Sequence, residues 1–287
     1  AILTEVAEGR GSEHGGAYLD IASRRSAEFI EQKLPAMVHQ FEELAGIDIT
    51  EEPMEVAPTC HYMMGGVSVD PETQETSVPG LYASGEVAGG LHGANRLGGN
   101  SLSDLLVFGN RAGVHAGERA AEMAEYPTVD DDEIERCRAY LEFPFENDTD
   151  AGADPFSLHE ELNEVMENHV GISRDDAGLS AGIERLEDLR ERADNLAASG
   201  PRDYNTGWQK CFDVRNMIDV GLAIAHAARR RTESRGAHSR TDYPEPDDDL
   251  GSVKFAVRLE DDEFRLQREI VPEPRDELQE MLELDQE

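Results

Sequence analysis

The spacing of apolar residues predicts a chain built mostly of helices, with a few short strands. Apolar positions at helical spacing run from Ala17 to Leu44 and stop at Gly46, and Pro35 should interrupt or kink this helix. The same periodicity predicts further helices over 101–123, 131–141, 155–170, 181–198 and 212–232. Shorter patterns predict a buried strand over Leu81–Ser84, short strands and loops over 47–69, and a hairpin formed by 252–259 and 263–270.

The order of these elements predicts an α/β part followed by an α part. The helices after residue 131 should pack as a small bundle, reached through an acidic linker over 128–133. The hairpin follows the bundle, and the acidic tail from Glu273 should be helical or frayed. A chain of 287 residues is long enough for about two domains with a real core.

Composition excludes several classes of protein. The chain has 62 acidic and 26 basic residues, a net charge of -36, which argues against nucleic-acid binding because phosphates recruit Lys and Arg. No apolar run approaches the roughly 18 residues that a membrane-spanning helix needs. Cys60, Cys137 and Cys211 lie far apart without a CxxC pair, so we expect neither a disulfide scaffold nor a metal site.

The acidic residues are spread along the chain rather than gathered in one block. Only three residues are lysines, Lys33, Lys210 and Lys254, and the other basic residues are arginines. This pattern is typical of a cytoplasmic protein from a salt-loving organism, where concentrated salt screens the repulsion between carboxylates. The alternative is an acidic interaction protein, such as a nucleic-acid mimic.

Candidate chemistry is concentrated between Thr59 and Gly109. Glu86 follows the predicted strand over Leu81–Ser84, at a sheet edge where open α/β folds bind ligands, and a carboxylate there suits sugar or ribityl hydroxyls. A solvated loop carboxylate is the simpler alternative.

A glycine-rich stretch leads into the helix predicted over 101–123. Gly98 and Gly99 allow close backbone approach, and Asn100 or Ser101 could cap the helix. The N–H groups and positive dipole end of such a helix can bind an anion or stabilise a reduced flavin. An ordinary capped helix after a flexible loop would show the same pattern.

Three side chains near these glycines are candidates for binding an anionic substrate. Arg96 offers a planar fork of donors that fits a carboxylate, although a surface ion pair explains it equally well. His61 could donate to a carboxylate or titrate near neutral pH, but a lone histidine is more often a structural hydrogen-bonder. We favour the structural role for His92.

Taken together, these motifs resemble one protein family. Thr-Cys-His-Tyr-Met-Met-Gly-Gly at 59–66, the run from His92 to Gly109, and Arg-Thr-Glu-Ser-Arg-Gly-Ala-His-Ser-Arg-Thr-Asp-Tyr-Pro at 231–244 are similar to the flavoprotein subunit of succinate dehydrogenase and fumarate reductase. The resemblance covers nearly the whole chain but only about the carboxyl-terminal half of a full subunit. Together with the acidic, lysine-poor composition, it leads us to expect a halophilic archaeal type.

The resemblance implies roles for individual residues. His61 and Arg96 correspond to the residues that hold the dicarboxylate, Glu86 to the FAD-ribityl ligand, and Ser101 with Leu102 to the flavin-contacting helix start. For Arg235 and His238 we favour a structural, domain-docking role. The implied domains are the end of a capping domain (1–57), the carboxyl-terminal part of a Rossmann-like FAD-binding domain (58–122), a helical domain (123–234) and a carboxyl-terminal segment (235–287).

The resemblance also implies an activity. A complete subunit would use FAD to oxidise succinate to fumarate and pass electrons through an iron–sulfur subunit to quinone. It would lie on the cytoplasmic face of the membrane beside anchor subunits. Arg10 does not sit in a matching motif, so the proton-donating arginine, like the dinucleotide fingerprint, is expected upstream of Ala1. The alternatives are a fumarate reductase, an L-aspartate oxidase and an inactive acidic fragment.

Overall fold

The computed structural model describes residues 2–147 and 152–278, which fall into two compact units, Ala1–Tyr62 and Met63–Glu287. The elements of the first unit are α1 (Ile2–Ala7), β1 (Ala17–Leu19), α2 (Ala27–Lys33), α3 (Pro35–Ala45) and β2 (Met54–Val56). Those of the second unit are α4 (Asn100–Glu122), α5 (Asp131–Glu146), α6 (Pro155–Val170), β3 (Ser173–Arg174), α7 (Asp176–Ala193), α8 (Thr206–Arg230), β4 (Ser239–Arg240), α9 (Asp248–Gly251), β5 (Val253–Glu260) and β6 (Glu263–Ile270).

In the first unit, two short helices pack on a two-stranded antiparallel ribbon. Leu19 of β1 lies opposite Met54 of β2, and Ile30, Ile49 and Met54 form a small buried core. The single helix predicted over 17–44 is wrong at its start, because residues 17–19 pair as a strand. Pro35 interrupts the remainder as predicted, since it begins α3 where its missing N–H costs nothing. The helix ends at Gly46 as predicted, and this glycine adopts a left-handed backbone.

The second unit begins with irregular chain that leads into α4. The buried strand predicted over Leu81–Ser84 is wrong: Leu81 is exposed, and Tyr82 makes a single antiparallel bridge with Glu75. Two backbone hydrogen bonds make this bridge, from Ala83 N–H to Gln74 O and from Thr76 N–H to Leu81 O. The segment then forms a 3-10 turn over Gly85–Val87, so no ladder of strand hydrogen bonds develops here. The helix predicted over 101–123 is confirmed as α4.

The largest core of the described residues lies among α6, α7 and α8. These three helices contact one another pairwise, as the predicted bundle requires. Their facing sides bury Leu158, Leu162, Leu179, Leu186, Leu189, Val214, Ile218 and Leu222. Phe143 and Phe145 of α5 pack against the edge of this core. Fully burying one leucine stabilises a fold by roughly 1.5–3 kcal/mol, so this cluster dominates the packing of the unit.

The helix boundaries follow polar residues that cap them. Asp154 accepts from Ser157 N–H and begins α6 at Pro155, where the sequence placed it. Asp175 accepts from Gly178 N–H and Asn205 from Trp208 N–H, so α7 and α8 each begin about one and a half turns earlier than predicted. These short side chains accept hydrogen bonds from N–H groups of the first turn and so set the start of each helix. The apolar periodicity begins only further along the helix, so it cannot show this boundary.

The predicted hairpin is confirmed as β5 and β6, which pair antiparallel with Val253 opposite Ile270 and pack against α8. A shorter parallel pair joins β3 to β4. The prediction for the acidic tail from Glu273 falls mainly outside the described residues, which end at 278. Among the described helices, none combines the length and apolar character needed to cross a bilayer.

Candidate functional site

Two glycine-containing segments are held side by side in the second unit. Val67 N–H donates to Val87 O at 2.8 Å, and Gly89 N–H donates to Val67 O at 2.9 Å. The approach is so close that a Cβ on Gly66 would lie within 2.3 Å of Val87 O. Only a residue without a side chain fits there, and the pairing fixes residues 63–67 against 85–89.

Glu86 lies on the 3-10 turn, and this turn packs on α4. Gly85 has a φ of +74°, a backbone conformation that favours glycine, and the Leu105 side chain of α4 lies directly against it. The carboxylate Oε1 of Glu86 accepts from Met63 N–H at 2.9 Å. The exposed carboxylate is thus oriented by backbone from the neighbouring segment rather than solvated at random.

The start of α4 differs from the sequence prediction. Neither Asn100 nor Ser101 caps the helix. The N-cap is Gly99, with a left-handed φ of +84°, and glycine has no side chain to cover the first-turn N–H groups. A helix start of this kind suits an anion or an electron-rich group, because the dipole is positive there and the N-cap residue has no side chain.

Arg96 and Ser101, two of the predicted site residues, are brought together. The half-buried Arg96 donates from Nη1 to Ser101 Oγ at 3.3 Å and to Leu97 O at 3.5 Å. Its guanidinium therefore lies over the first turn of α4. A carboxylate bound by Arg96 would be placed beside that turn.

Leu102 is 67% exposed, and Leu105 and Leu106 on the same helix are exposed as well. Within the described residues, these leucines are not covered by a packed core. The side chain that α4 does bury is Asp104, whose Oδ2 lies 3.4 Å from His92 Nε2. This contact supports the structural role expected for His92.

His61 lies near the carboxyl end of the first unit and is exposed. Its role in binding substrate stays a prediction. Arg10, also in the first unit, forms ion pairs with Glu5 and Glu8, and their hydrogen bonds raise its pKa above the usual value.

Residues 231–247 form a charged network that the sequence did not reveal. Glu233 is fully buried and accepts from Arg231, from Arg235 and from Asp247 N–H. Burial alone would raise the pKa of Glu233, but these donors outweigh it and lower the pKa to about 2. The sequence shows that arginines are frequent in this segment. It does not show that a buried carboxylate binds them.

His238 and Arg240 complete this network. His238 Nε2 donates to Arg231 O, which can only accept, while Nδ1 accepts from Arg174. Burial, reinforced by nearby arginines, lowers the pKa of His238 and favours its neutral form. The buried Arg240 donates to the last carbonyls of α8 and pairs with both oxygens of Asp242. These contacts support the structural role expected of this segment.

Two protein-family models match this chain. The model described as "FAD binding domain" matches residues 1–102, and the one described as "Fumarate reductase flavoprotein C-term" matches residues 159–279. The first match and the names of the relatives below indicate FAD as the cofactor. The matched domains therefore define a flavin-dependent oxidoreductase.

Relatives and a solved structure narrow the class to a family. The chain is 39% identical to a CoM/CoB fumarate reductase protein of Methanothermobacter marburgensis over 247 residues, 85% of this chain and 43% of that protein. It is 35% identical to the succinate dehydrogenase flavoprotein subunit of Coxiella burnetii over 264 residues, 86% of this chain and 44% of that protein. Mycobacterium smegmatis Sdh1 in complex with UQ1 superposes with a TM-score of 0.90 at 45% identity, over 99% of this chain and 48% of that one.

The chain thus belongs to the family of succinate dehydrogenase and fumarate reductase flavoproteins. It spans less than half the length of these relatives.

Proposed function

We propose that this chain is the carboxyl-terminal part of the flavoprotein subunit of a succinate dehydrogenase, which oxidises succinate to fumarate. The observation that carries the proposal is the Arg96 guanidinium, placed over the start of α4 by Ser101 Oγ. A dicarboxylate needs a cationic fork, and a flavin needs a donor-rich, partly apolar surface. The same loop and helix supply both.

The residues of the second unit fit FAD. Glu86 presents a carboxylate that can accept from ribityl hydroxyls, with one oxygen already oriented by Met63 N–H. Ser101 and the exposed Leu102 offer a hydroxyl and an apolar contact at the helix start. When bound, FAD would accept a hydride from the substrate.

Arg96 binds one substrate carboxylate in this proposal and orients the reacting carbons. His61 is the candidate for the second carboxylate, on the strength of its motif. Fixing a substrate carboxylate restricts the substrate to fewer poses, which lowers the entropic part of the barrier to hydride transfer.

The proposed assembly places the subunit on the cytoplasmic face of the membrane, where an iron–sulfur subunit takes its electrons towards quinone beside anchor subunits. The names of the relatives support both directions of the reaction, since they include a succinate dehydrogenase and a fumarate reductase. Fumarate reductase is therefore the second candidate.

Steady-state kinetics on the flavoprotein that carries this chain test the proposal. Succinate should reduce an artificial electron acceptor, and malonate should compete with it. Fumarate reduction by a reduced viologen, measured alongside, decides between the two directions. Oxidation of L-aspartate in place of succinate, or turnover of neither dicarboxylate, would contradict the proposal.

A further inference from the structure

The loop that carries Arg96 is held from the far end of the chain. We define the arginine loop as residues 92–99 and the glycine turn as residues 235–238. Ala237 N–H of the glycine turn donates to Ala94 O of the arginine loop at 2.9 Å. The contact lies two residues from Arg96.

Gly236 makes this approach possible. Its φ is +58°, and a Cβ at this position would lie 2.5 Å from Ala94 O and 2.8 Å from Ala94 Cβ. Real Cβ atoms essentially never come so close to backbone, so an added methyl would have to push the arginine loop away. Glycine is required here both for its conformation and for its lack of a side chain.

The glycine turn cannot yield easily, because its flanks are fixed in the second unit. Arg235 and His238 exchange backbone hydrogen bonds of 2.8 and 3.0 Å across the turn. The guanidinium of Arg235 is held by Glu233 and by Asp247 O, and the ring of His238 lies between Arg174 and Arg231 O. The turn is therefore a rigid extension of the network at the end of α8.

The arginine loop has a second anchor on its other side. His92 contacts Asp104, the buried carboxylate of α4, at 3.4 Å. One anchor thus ties the loop to the helix that it precedes, and the other ties it to the carboxyl-terminal network. Arg96 lies between Ala94 and the start of that helix in the sequence.

We infer that Gly236 and Ala237 are positioning residues for Arg96. They fix the position of the arginine loop so that the Arg96 guanidinium can contact a substrate carboxylate. The inference rests on the proposed function, in which Arg96 binds that carboxylate. It gives the motif at 231–244 a part in substrate affinity as well as in folding. A misplacement of about 1 Å at a reacting group can cost roughly 100-fold in rate, so a shift forced by one methyl should be measurable.

Gly236→Ala in the intact flavoprotein tests the inference. The dissociation constant of malonate, followed by the change in flavin absorbance, should rise roughly 10- to 100-fold, while the FAD content stays at the wild-type level. Gly200→Ala is the matched control. Gly200 has a φ of +89°, but the nearest atom to an added Cβ is Asn205 Nδ2 at 3.9 Å. The Gly200→Ala variant has the same kind of backbone strain without a close contact. Its dissociation constant for malonate should stay within about twofold of the wild-type value.

A double-mutant cycle with Arg96→Lys separates positioning from general damage. If Gly236 acts through Arg96, then Gly236→Ala should add less than about twofold to the loss already caused by Arg96→Lys. A full, additive loss would overturn the inference. If Arg96→Lys alone leaves malonate affinity unchanged, the proposed role of Arg96 fails. If Arg96→Lys weakens malonate but Gly236→Ala does not, only the positioning role fails.

Hydrogen exchange on the wild-type flavoprotein gives a test that needs no variant to fold. Malonate should slow exchange in the peptide that contains Ala237 as well as in the arginine loop, because coupling between the two is reciprocal. A peptide around Gly200 serves as the unaffected reference. Unchanged exchange at Ala237 with a protected arginine loop would overturn the inference.

Discussion

Arg96 Nη1 donates to Ser101 Oγ over 3.3 Å, so the loop cation and the first turn of α4 are in direct contact. Ser101 belongs to the helix start that we propose for the flavin, and Arg96 is the residue that we propose for the substrate. The contact links the two parts of the proposed site. The effect of a substitution at Arg96 on substrate affinity and its effect on FAD binding should therefore be measured separately.

Arg96→Lys should weaken dicarboxylate binding while leaving FAD bound. Lysine keeps the charge but loses the planar fork that can engage both oxygens of a carboxylate. A hydrogen bond to a charged group contributes about 1.5–3 kcal/mol, so loss of one of the two should lower malonate affinity and succinate turnover by roughly 10- to 100-fold. Inhibition and initial-rate assays measure both.

Arg111→Lys is the control for this substitution. Arg111 lies on the same helix, but it donates to Pro71 O and pairs with Glu72 away from the arginine loop. Its malonate affinity should match the wild type. Loss of FAD on Arg96→Lys would instead make Arg96 a structural residue.

Glu86→Gln should weaken FAD binding. The amide can still accept from Met63 N–H, but it is a weaker acceptor for ribityl hydroxyls because it carries no charge. Hydrogen bonds to charged groups contribute about 1.5–3 kcal/mol, so the FAD dissociation constant should rise roughly 10- to 100-fold. The ratio of flavin to protein absorbance after gel filtration, and flavin fluorescence on dilution, report it. Glu72→Gln, at an exposed carboxylate, should change neither, and equal retention by both variants would remove Glu86 from the site.

Local signals in the sequence were enough to place several elements. Asp154 followed by Pro155 is a helix start that can be read without the fold, and α6 begins there. The alternation over 252–259 and 263–270 gave the hairpin β5–β6 within about one residue. The resemblance to a family placed Glu86, Arg96 and Ser101 together before any geometry was known, and the structure places Arg96 on Ser101.

Contacts between distant segments could not be predicted in this way. The segment Leu81–Ser84 has the residue types of a strand. Among the described residues, however, it pairs with another segment only at the bridge between Tyr82 and Glu75. Nothing local marks Gly236 as a neighbour of Ala94, since its glycine signal predicts only a turn. The leucines of α4 have the periodicity of a packed face, yet periodicity does not tell what covers it.

Concentrated salt should stabilise the flavoprotein. The net charge is -36, and the carboxylates are spread over the whole chain, so their mutual repulsion is strong in dilute buffer. Molar KCl shortens the screening length to about 3 Å and removes most of this repulsion. The midpoint of thermal unfolding should therefore rise between about 0.1 M and about 2 M KCl. A midpoint that ignores salt, or falls with it, would count against adaptation to a saline cytoplasm.

Glu233 should make the stability of the helical part depend on pH in the acid range. Its pKa is lowered to about 2 in the folded chain, whereas an unfolded glutamate has its usual value near 4.5. The unfolded state binds the proton first as the pH falls, so the contribution of Glu233 is complete above about pH 4.5 and is lost between 4.5 and about 2. The difference in pKa corresponds to about 3 kcal/mol of unfolding free energy at about pH 7.

Glu233→Gln in this chain should remove that contribution, because it leaves Arg231 and Arg235 beside a neutral group. Urea unfolding, followed by the fluorescence of Trp208, the only tryptophan of the sequence, reports the bundle directly. The variant should be less stable by about 3 kcal/mol at about pH 7 and by roughly half of that at about pH 3. Glu245→Gln, at an exposed carboxylate of the same segment, should follow the wild type at every pH. A deficit of Glu233→Gln that stays constant across this pH range would mean that the substitution acts through packing, and that the carboxylate of Glu233 is not what holds the two arginines.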